Sequence, residues 1–402
     1  MADWQELERK YLMNTFKRLP VTLVRGQGAR VWDDNGIGYL DFIGGLAVDV
    51  LGHSHPELAK AISQQAHTLI QTSNLVYSVP QIRLAELLVE NSCFDKVFLC
   101  NSGVEATEGA VKLARRYGKL HLDGAYEVIT TMNSFHGRTL AMVAATGQPK
   151  FQESYTPLPE GFLNVEYDNI DAIKRATERK TCAVMLEAIQ GEGGVNVPHD
   201  DYLKEVRAWC DERGILLILD EIQTGVGRTG TLFAYQQFGI EPDIMTLAKG
   251  LGGGVPIGAF LAKDEVSVFA PGDHGSTFGG NPLACAAGCA TLKYILEKHV
   301  VENCRSVGNY LMSQLLRLKT KYDFIIEVRG RGLLIAMEFS SDIAENVVMA
   351  CLQRRLLLNA VKPSAIRFMP PLIIGEKEVD EAVSIVAGVL AMVGKEIVAT
   401  QE

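Results

Sequence analysis

The stretch Ile215-Leu-Leu-Ile-Leu-Asp-Glu-Ile-Gln223 decides the fold. Its first five residues are aliphatic, which predicts a strand buried on both faces, because a half-buried strand would alternate apolar and polar side chains. A helix is predicted before it, near residues 202–213, and one over 104–117. Further apolar runs that predict strands lie at residues 96–100, 127–130 and 182–186. Such strands separated by helices indicate an α/β fold, with a mostly parallel central sheet flanked by helices.

The two ends of the chain differ from this middle part. A hairpin is predicted where residues 29–32 and 39–42 flank Asp33-Asp-Asn-Gly36, because Asn-Gly favours a tight turn. Residues 328–339 predict a strand of another sheet, and apolar residues at helical spacing from Val379 predict an amphipathic closing helix. We expect a large α/β domain over 56–280 and a smaller α+β domain built from 1–55 and 281–402.

Composition narrows the class of protein. The 402 residues carry a net charge of -9, which argues against nucleic acid as a partner, since such proteins usually present a basic face. No apolar run approaches the ~18 residues that cross a membrane, and the charged start predicts no secretory signal. The eight cysteines form no CxxC pair, which predicts reduced thiols in a cytoplasmic protein. We interpret Gly52-His-Ser-His-Pro56 as a turn before a helix and predict no metal site.

Asp220 and Lys249 form the first pair of candidate residues. Asp220 directly follows the buried strand, and ligands of open parallel sheets bind at this edge, although a solvated loop carboxylate could also occur there. Lys249 is followed by four glycines within five positions, which let backbone approach a ligand closely. Partial burial would lower the pKa of this lysine and free its amine to attack an aldehyde. Asp220 could then keep a pyridinium nitrogen protonated.

Two segments offer groups for a phosphate. Ser102 and Gly103 follow a strand and open a helix, where backbone N–H groups bind anions well. Ser102 with Glu105 equally fits a capping box, so the motif alone leaves both interpretations open. Ser276 and Thr277 lie in a second glycine-rich segment, which is either another phosphate contact or a turn.

The segment Phe135-His-Gly-Arg138 combines an aromatic ring with a cation. The ring could stack on a flat cofactor, and the guanidinium could bind a carboxylate through two parallel hydrogen bonds. Taken alone, the segment is as typical of an ordinary polar loop.

Together these motifs resemble the class III family of pyridoxal-phosphate aminotransferases, which have the fold type I architecture. The most specific matches are short motifs around the candidate residues, namely Asn101-Ser-Gly103, Phe135-His-Gly-Arg138, Asp220-Glu-Ile-Gln223 and Leu247-Ala-Lys249. Residues 26–33, 52–56 and 367–371 extend the resemblance over almost the whole chain. Ser102-Gly103 departs from the Gly-Thr or Gly-Ala of many relatives, but the backbone donors are preserved.

The resemblance implies pyridoxal 5′-phosphate as cofactor. It implies a Schiff base on Lys249, Asp220 at the pyridine nitrogen as the second catalytic residue, and Phe135 over the ring. It further implies cofactor contacts by Glu221, Ile222 and Gln223, with Gln223 near the phenolic oxygen. The phosphate would be bound by Ser102, Gly103 and Thr277, the last reaching across from the second subunit of a homodimer.

The resemblance also implies small-molecule substrates. The branch that it favours moves the δ-amino group of N-acetylornithine to 2-oxoglutarate, as in arginine biosynthesis. Arg138 and Ser276 would hold acetylornithine, and Arg367 would bind the α-carboxylate of glutamate. Acetylornithine places no carboxylate at Arg367, so an unpaired buried charge would result. We hypothesise that Glu192 pairs with Arg367 in that half-reaction and swings away for glutamate.

Other substrates and other chemistry remain open at this point. Ornithine aminotransferases carry a tyrosine where this chain has Leu46, which disfavours ornithine but leaves 4-aminobutyrate, succinylornithine and succinyl-diaminopimelate possible. An aminomutase would use the same cofactor without an external keto acid. A non-enzymatic binding protein is disfavoured by the presence of Lys249, Asp220 and Arg138 together.

Overall fold

The computed structural model describes residues 4–401. Residues 1–3 and 402, which belong to the predicted terminal segments, lie outside the described residues. The helices are α1 Trp4–Tyr11, α2 Gly44–Ala47, α3 Pro56–Thr68, α4 Val79–Glu90, α5 Gly103–His121, α6 Leu140–Ala145, α7 Pro149–Gln152, α8 Ile170–Ala176, α9 Tyr202–Arg213, α10 Tyr235–Phe238, α11 Pro282–Glu297, α12 Val300–Lys321, α13 Ala344–Gln353 and α14 Glu376–Gln401. The strands are β1 Leu23–Gln27, β2 Arg30–Asp33, β3 Gly38–Asp41, β4 Lys96–Cys100, β5 Glu127–Thr131, β6 Phe162–Val165, β7 Thr181–Glu187, β8 Leu216–Asp220, β9 Ile244–Leu247, β10 Gly258–Ala262, β11 Ile325–Arg331, β12 Leu334–Phe339, β13 Leu356–Leu357, β14 Asn359–Lys362 and β15 Ala365–Phe368.

A seven-stranded sheet forms the centre of the molecule, in the order β4-β10-β9-β8-β7-β5-β6. The strands from β9 to β6 pair in parallel, whereas β10 runs antiparallel to both of its neighbours. Every residue of β7, β8 and β9 is buried, as their continuous apolar sequences predict. The predicted α/β fold with a mostly parallel central sheet is confirmed.

Two four-stranded sheets accompany the central one. The first has the order β1-β2-β3-β13, and its β2–β3 hairpin is the one predicted from Asn35-Gly36, where Gly36 has φ 78°. The second has the order β11-β12-β15-β14 and is antiparallel. The division at residues 56 and 280 stays a prediction, because α11 beyond that boundary packs against α3 and α4.

One predicted strand is in fact a hairpin. Residues 328–339 were expected to form a single strand of another sheet, but β11 ends at Arg331 and β12 begins at Leu334. Gly332 has φ 56°, a left-handed conformation that glycine adopts without strain, and it makes the tight turn possible.

The segment 225–230 links the end of the central sheet to the rest of the chain. All six residues are buried, and Arg228 donates from Nη1 to the carbonyls of Leu333 (3.0 Å) and Pro370 (2.6 Å). Arg228 thus connects the chain after β8 to the chain after β15. Among the described residues, no helix combines the length and apolar character needed to cross a membrane.

Candidate active site

The carboxyl ends of the central strands bring the candidate residues together. Glu187 ends β7 and pairs in register with Asp220, which ends β8 and pairs in turn with Thr246 of β9. Lys249 follows β9 by two residues, and Ser102 follows β4 by two. Because β10 is antiparallel to both neighbours, β4 and β9 run in the same direction and end at the same edge.

A cavity of about 440 Å³ opens at this edge. Of the residues predicted to form the site, nine line it, namely Ser102, Gly103, Phe135, Arg138, Glu192, Asp220, Ile222, Gln223 and Lys249. Residues that sequence reasoning did not single out also line it, among them His136, Glu187 and the segment from Gly254 to Ile257.

Lys249 lines the cavity and has a strained backbone conformation. Its φ is 41°, a left-handed value that is uncommon for residues with a side chain and concentrates at functional sites. Burial lowers the pKa of Lys249, while the nearby Glu192 opposes that shift and Arg367 adds to it. A larger share of the amine is therefore neutral and nucleophilic at a given pH than for an exposed lysine.

Asp220 is oriented by three donors. Ile222 N and Thr246 Oγ1 each lie 3.1 Å from its Oδ1, and His136 Nδ1 lies 2.8 Å from its Oδ2. His136 is itself buried and accepts at its carbonyl from Thr107 Oγ1 at 2.8 Å. The sequence motif contained His136, but only the fold reveals that it faces the carboxylate across the edge of the sheet.

The start of α5 has both features that the sequence left open. Ser102 Oγ accepts from Glu105 N at 3.3 Å, and Glu105 Oε2 accepts at 2.7 Å from Asn101 N, one residue before the N-cap. The cap is thus a variant of the predicted capping box, in which the carboxylate would bind Ser102 N. The first-turn N–H groups of Gly103 and Val104 still lack intrahelical partners, as at any helix start, and both residues line the cavity. A Cβ at Gly103 would lie 2.9 Å from Ile222 Cδ1, so glycine gives this end its close packing.

Arg367, Glu192 and Gln223 form a buried cluster beside Lys249. Arg367 Nη1 lies 2.9 Å from Glu192 Oε1 and 3.1 Å from Gln223 Oε1, and Gln223 Nε2 donates to the same Glu192 oxygen at 3.0 Å. Burial by itself raises the pKa of Glu192, but Arg367 and Lys249 outweigh burial and lower it to about 2. Arg367 is fully buried, and its Nε and Nη2 have no hydrogen-bond partner within the described part of the chain.

Glu187 is a third carboxyl group that lines the cavity, and its pKa is shifted in the opposite direction from that of Glu192. Burial, reinforced by the charge of Asp220, raises the pKa of Glu187 well above its usual value. Its Oε2 accepts from Phe135 N at 3.2 Å. Two neighbouring carboxyls with pKa values pushed in opposite directions are typical of sites that handle protons.

Arg138 lines the cavity and is exposed to solvent. Its guanidinium carbon stacks 3.9 Å from the centre of the Phe151 ring and 5.2 Å from that of Phe135. Stacking holds the planar group in place while its edge N–H groups stay free for a carboxylate.

Four predicted site residues do not line this cavity. Glu221 points away from it and accepts from the backbone N–H groups of Ala234 (2.6 Å) and Tyr235 (2.7 Å), so its expected cofactor contact is corrected. Arg367 reaches the cavity only through Glu192 and Gln223. Ser276 lines a smaller neighbouring cavity of about 120 Å³, and Thr277 is exposed on the surface of this chain.

Two other sequence expectations concern the segment before α3. Leu46, expected to face the substrate, is 44% exposed and does not line the cavity, whereas Val48 does. His53 Nε2 lies 2.7 Å from Asp41 Oδ2, and with Asp49 these are the described residues grouped closely enough to ligate an ion. Asp41 Oδ1 is already occupied by the N–H groups of Ile43 and Gly44, which fixes this group as part of a turn.

Residues 12–390 match the family model of aminotransferase class III. The chain belongs to the class-III aminotransferases. The acetylornithine aminotransferase of Caldanaerobacter subterraneus subsp. tengcongensis is 51% identical over 96% of this chain and 98% of that protein. An ornithine aminotransferase structure from Toxoplasma gondii, reported with partial occupancy of pyridoxal phosphate at its active site, has a TM-score of 0.95 at 35% identity over 98% and 95% of the two chains. The N-acetylornithine aminotransferase of Stenotrophomonas maltophilia has a TM-score of 0.83 at 37% identity, over 96% and 98%.

Pyridoxal 5′-phosphate is accordingly the cofactor of this class-III aminotransferase, and the residues at the cavity fit it. Lys249 offers a buried amine of lowered pKa that suits the cofactor's aldehyde. Asp220 offers an oriented carboxylate that suits the basic ring nitrogen. The start of α5 at Gly103 offers free backbone N–H groups that suit the phosphate.

Proposed function

We propose that this aminotransferase moves the δ-amino group of N-acetylornithine to 2-oxoglutarate, giving N-acetylglutamate 5-semialdehyde and glutamate in two alternating half-reactions. The observation that carries the proposal is the Arg367–Glu192 pair, with 2.9 Å between Nη1 and Oε1. An arginine that can be either paired internally or opened to a carboxylate serves two substrates, one with a carboxylate at the reacting carbon and one without.

The cofactor end of the site handles protons. The cofactor supplies an electron-withdrawing ring that stabilises negative charge on the substrate carbon. Lys249 Nζ would hold the cofactor between reactions and would take up and return the proton at the substrate carbon. Asp220, oriented by His136, would face the ring nitrogen and help to keep it protonated. Phe135 and Ile222, which line the cavity, would pack against the ring, and Ser102 and Gly103 would bind the phosphate at the start of α5.

The two arginines divide the work of substrate binding. For glutamate, Arg367 binds the α-carboxylate and Glu192 turns aside. For N-acetylornithine, Glu192 stays on Arg367, so the methylene chain meets a neutralised pair rather than a bare cation, whose burial is strongly unfavourable. Arg138 binds the far carboxylate in both cases, and Ser276 assists it. Gln223 hydrogen-bonds to both members of the pair, and its Nε2 would be released from Glu192 for the cofactor's phenolic oxygen when Glu192 turns aside.

We also propose a cytoplasmic homodimer with shared active sites. Leu75 and Tyr77 are 93% and 96% exposed, and with Phe278 they form an apolar surface unusual for a monomer. Gln71 and Asn74 bind the backbone of Thr277 and Ser276 through their side-chain amides, so this surface and that loop form one unit. A second copy seated on this surface would receive Thr277 at its phosphate site.

The similarity to an ornithine aminotransferase keeps ornithine as a second candidate donor. Ornithine differs by a free ammonium at the end that Arg138 addresses. A cation beside Arg138 is repelled, whereas an acetamide is not. The charge of Arg138 therefore favours the acylated substrate.

Measuring glutamate formation from N-acetylornithine and 2-oxoglutarate tests the proposal. We expect turnover that requires both compounds and disappears in Lys249→Ala, whereas Lys263→Ala, which changes a surface lysine paired with Glu241, behaves like the wild type. Rearrangement of N-acetylornithine without 2-oxoglutarate would show an aminomutase and refute the proposal.

A further inference from the structure

The short loop that carries Glu192 is closed at its base. Gln190 N donates to Asn196 O at 3.1 Å, and Asn196 N donates to Gln190 O at 3.0 Å. The side chain of Gln190 fastens this base to the central sheet, because its Nε2 donates to Thr131 Oγ1 at 3.1 Å and to Met132 O at 2.8 Å. Residues 190–196, the Glu192 loop, are thus fixed on the side of β5.

The tip of the Glu192 loop is strained. Gly194 has φ 120° and Val195 has φ 55°. A left-handed conformation is costly for a β-branched residue and persists only where surrounding contacts impose it. Space is also short, since a Cβ at Gly193 would lie 2.4 Å from Asn133 O. Contacts from residues outside the loop must therefore stabilise this conformation.

Arg329 of β11 binds the two strained residues. Its Nε lies 3.1 Å from Gly194 O and 3.1 Å from Val195 O, and its Nη2 donates to Gly194 O at 2.7 Å. Its remaining nitrogen, Nη1, binds the carboxylates of Glu327 and Glu338. The guanidinium is thereby held flat between its own sheet and the loop, with each nitrogen in use.

Arg329 and Arg367 belong to one row of the same sheet. Arg329 lies opposite Ala336 of β12, and Ala336 lies opposite Arg367 of β15. Directly opposed residues of an antiparallel sheet project from the same face, so both arginines point toward the Glu192 loop. Arg367 binds the loop at its start, with Nη1 3.0 Å from Gly191 O, whereas Arg329 binds it at its end.

We propose that Arg329 is a positioning residue that fixes the backbone of the Glu192 loop, so that Glu192 exchanges with the substrate carboxylate by rotation of its side chain alone. This inference rests on the proposed function, in which Glu192 leaves Arg367 for glutamate and returns for N-acetylornithine. Between them, Gln190 and Arg329 hold both sides of the loop and leave its side chain at Glu192 as the movable part.

The two half-reactions respond differently if Arg329 acts in this way. With N-acetylornithine, Glu192 must lie on Arg367, and a loosened loop would leave that arginine unpaired for part of the time. With glutamate, Glu192 must leave, so a loosened loop has little effect. Loss of Arg329 should therefore slow the N-acetylornithine half-reaction more than the glutamate half-reaction.

Two measurements on Arg329→Ala and Arg329→Lys test the inference. Hydrogen exchange at the backbone amides of residues 191–197 reports the loop directly, without substrate. Single-turnover rates with N-acetylornithine and with glutamate report the two half-reactions separately. Arg331→Ala is the matched control, because Arg331 lies two residues on in β11 and binds Asp200 (2.7 Å) instead of the loop.

We expect Arg329→Ala to raise the rate of amide hydrogen exchange in the loop by about tenfold or more, because charge-assisted hydrogen bonds are lost. The rate of the N-acetylornithine half-reaction divided by that of the glutamate half-reaction should fall by a similar factor. Arg329→Lys should show smaller changes of the same sign, because a lysine cannot bind both carbonyls in the bidentate way of a guanidinium. If the alanine variant does not fold, the lysine variant provides the test. Exchange and a rate ratio equal to those of Arg331→Ala would overturn the inference.

Glu192→Ala separates this inference from the proposed function. If the rate ratio is unchanged in Glu192→Ala, the exchange of Glu192 itself is wrong, and with it the role given to Arg329. If Glu192→Ala changes the ratio while Arg329→Ala changes neither ratio nor exchange, the proposed function stands and the positioning role of Arg329 fails.

Discussion

Glu192 Oε1 lies 2.9 Å from Arg367 Nη1, and Gln223 Nε2 donates to the same oxygen at 3.0 Å. The pair closes one wall of the site while it leaves two guanidinium nitrogens of Arg367 without partners in the described residues. Arg367 itself does not line the cavity, whereas Glu192 and Gln223 do. A carboxylate in the cavity would therefore meet Glu192 and Gln223 before it could reach Arg367.

Removal of this pair should act on one substrate more than on the other. In Glu192→Ala, Arg367 is permanently available, so we expect the N-acetylornithine half-reaction to slow by about tenfold or more, and the glutamate half-reaction to change little or to accelerate. Stopped-flow absorbance of the cofactor with each substrate alone measures both rates. Glu212→Ala, which removes an exposed carboxylate on α9 with no contact to the Glu192 loop, serves as a charge control.

The pH dependence of that discrimination follows from the same pair. Arg367 and Lys249 outweigh burial and hold the pKa of Glu192 at about 2, below the usual 4.5. A lowered carboxyl pKa means that its contribution to stability is complete above 4.5 and is lost as pH falls toward 2. Glu192 should therefore stay ionised from about pH 6 to about pH 9, and the ratio of the two half-reaction rates should be constant over this range. Titration of Lys249 does not change the ratio, because it affects both rates alike. A step in that ratio within this range would contradict the ionised state of Glu192.

The contribution of Glu187 to stability should depend on pH in the opposite direction from that of Glu192. Burial raises its pKa, so its favourable contribution to folding is complete below the usual 4.5 and is lost as pH rises through the raised value. Glu187→Gln keeps an acceptor for Phe135 N and cannot ionise. We expect the melting temperature of this variant, relative to wild type, to rise with pH. Glu212→Gln, at an exposed position of α9, should show no such trend.

His136 should act through Asp220 rather than on the substrate. Its Nδ1 lies 2.8 Å from Asp220 Oδ2, and a leucine there would leave that oxygen without the contact. We expect His136→Leu to weaken cofactor binding by about tenfold, from one lost charge-assisted hydrogen bond, and His136→Asn to retain most of the affinity. Titration of the apoenzyme with pyridoxal 5′-phosphate measures this. Equal affinities in the two variants would mean that the contact does not position Asp220.

The sequence predicts those parts of the fold and site that local pattern determines. The strand before Asp220, the helix opened by Ser102 and the glycines after Lys249 each carry their signal within a few residues, and the structure has them. Glu221 shows the limit of such reasoning. It follows Asp220 directly, yet neighbouring side chains at a strand end point in different directions, and its carboxylate binds the amides of Ala234 and Tyr235.

Contacts between distant segments could not be predicted from the sequence. His136 meets Asp220 across 84 positions, and Arg329 meets Gly194 across 135. Such pairs depend on sheet order and register, which a single sequence does not specify. The hairpin at Gly332 was missed for a related reason, since its two short strands merge into one apolar run without knowledge of the turn.

The substrate is tested most directly by kcat/KM for a panel of amino donors with 2-oxoglutarate. The panel comprises N-acetylornithine, N-succinylornithine, succinyl-diaminopimelate, ornithine and 4-aminobutyrate. The Arg138 and Arg367–Glu192 arrangement predicts the highest value for N-acetylornithine, with ornithine lower by at least about a hundredfold, because its free ammonium lies beside a cation. A kcat/KM for ornithine or 4-aminobutyrate equal to or above that for N-acetylornithine would contradict the account.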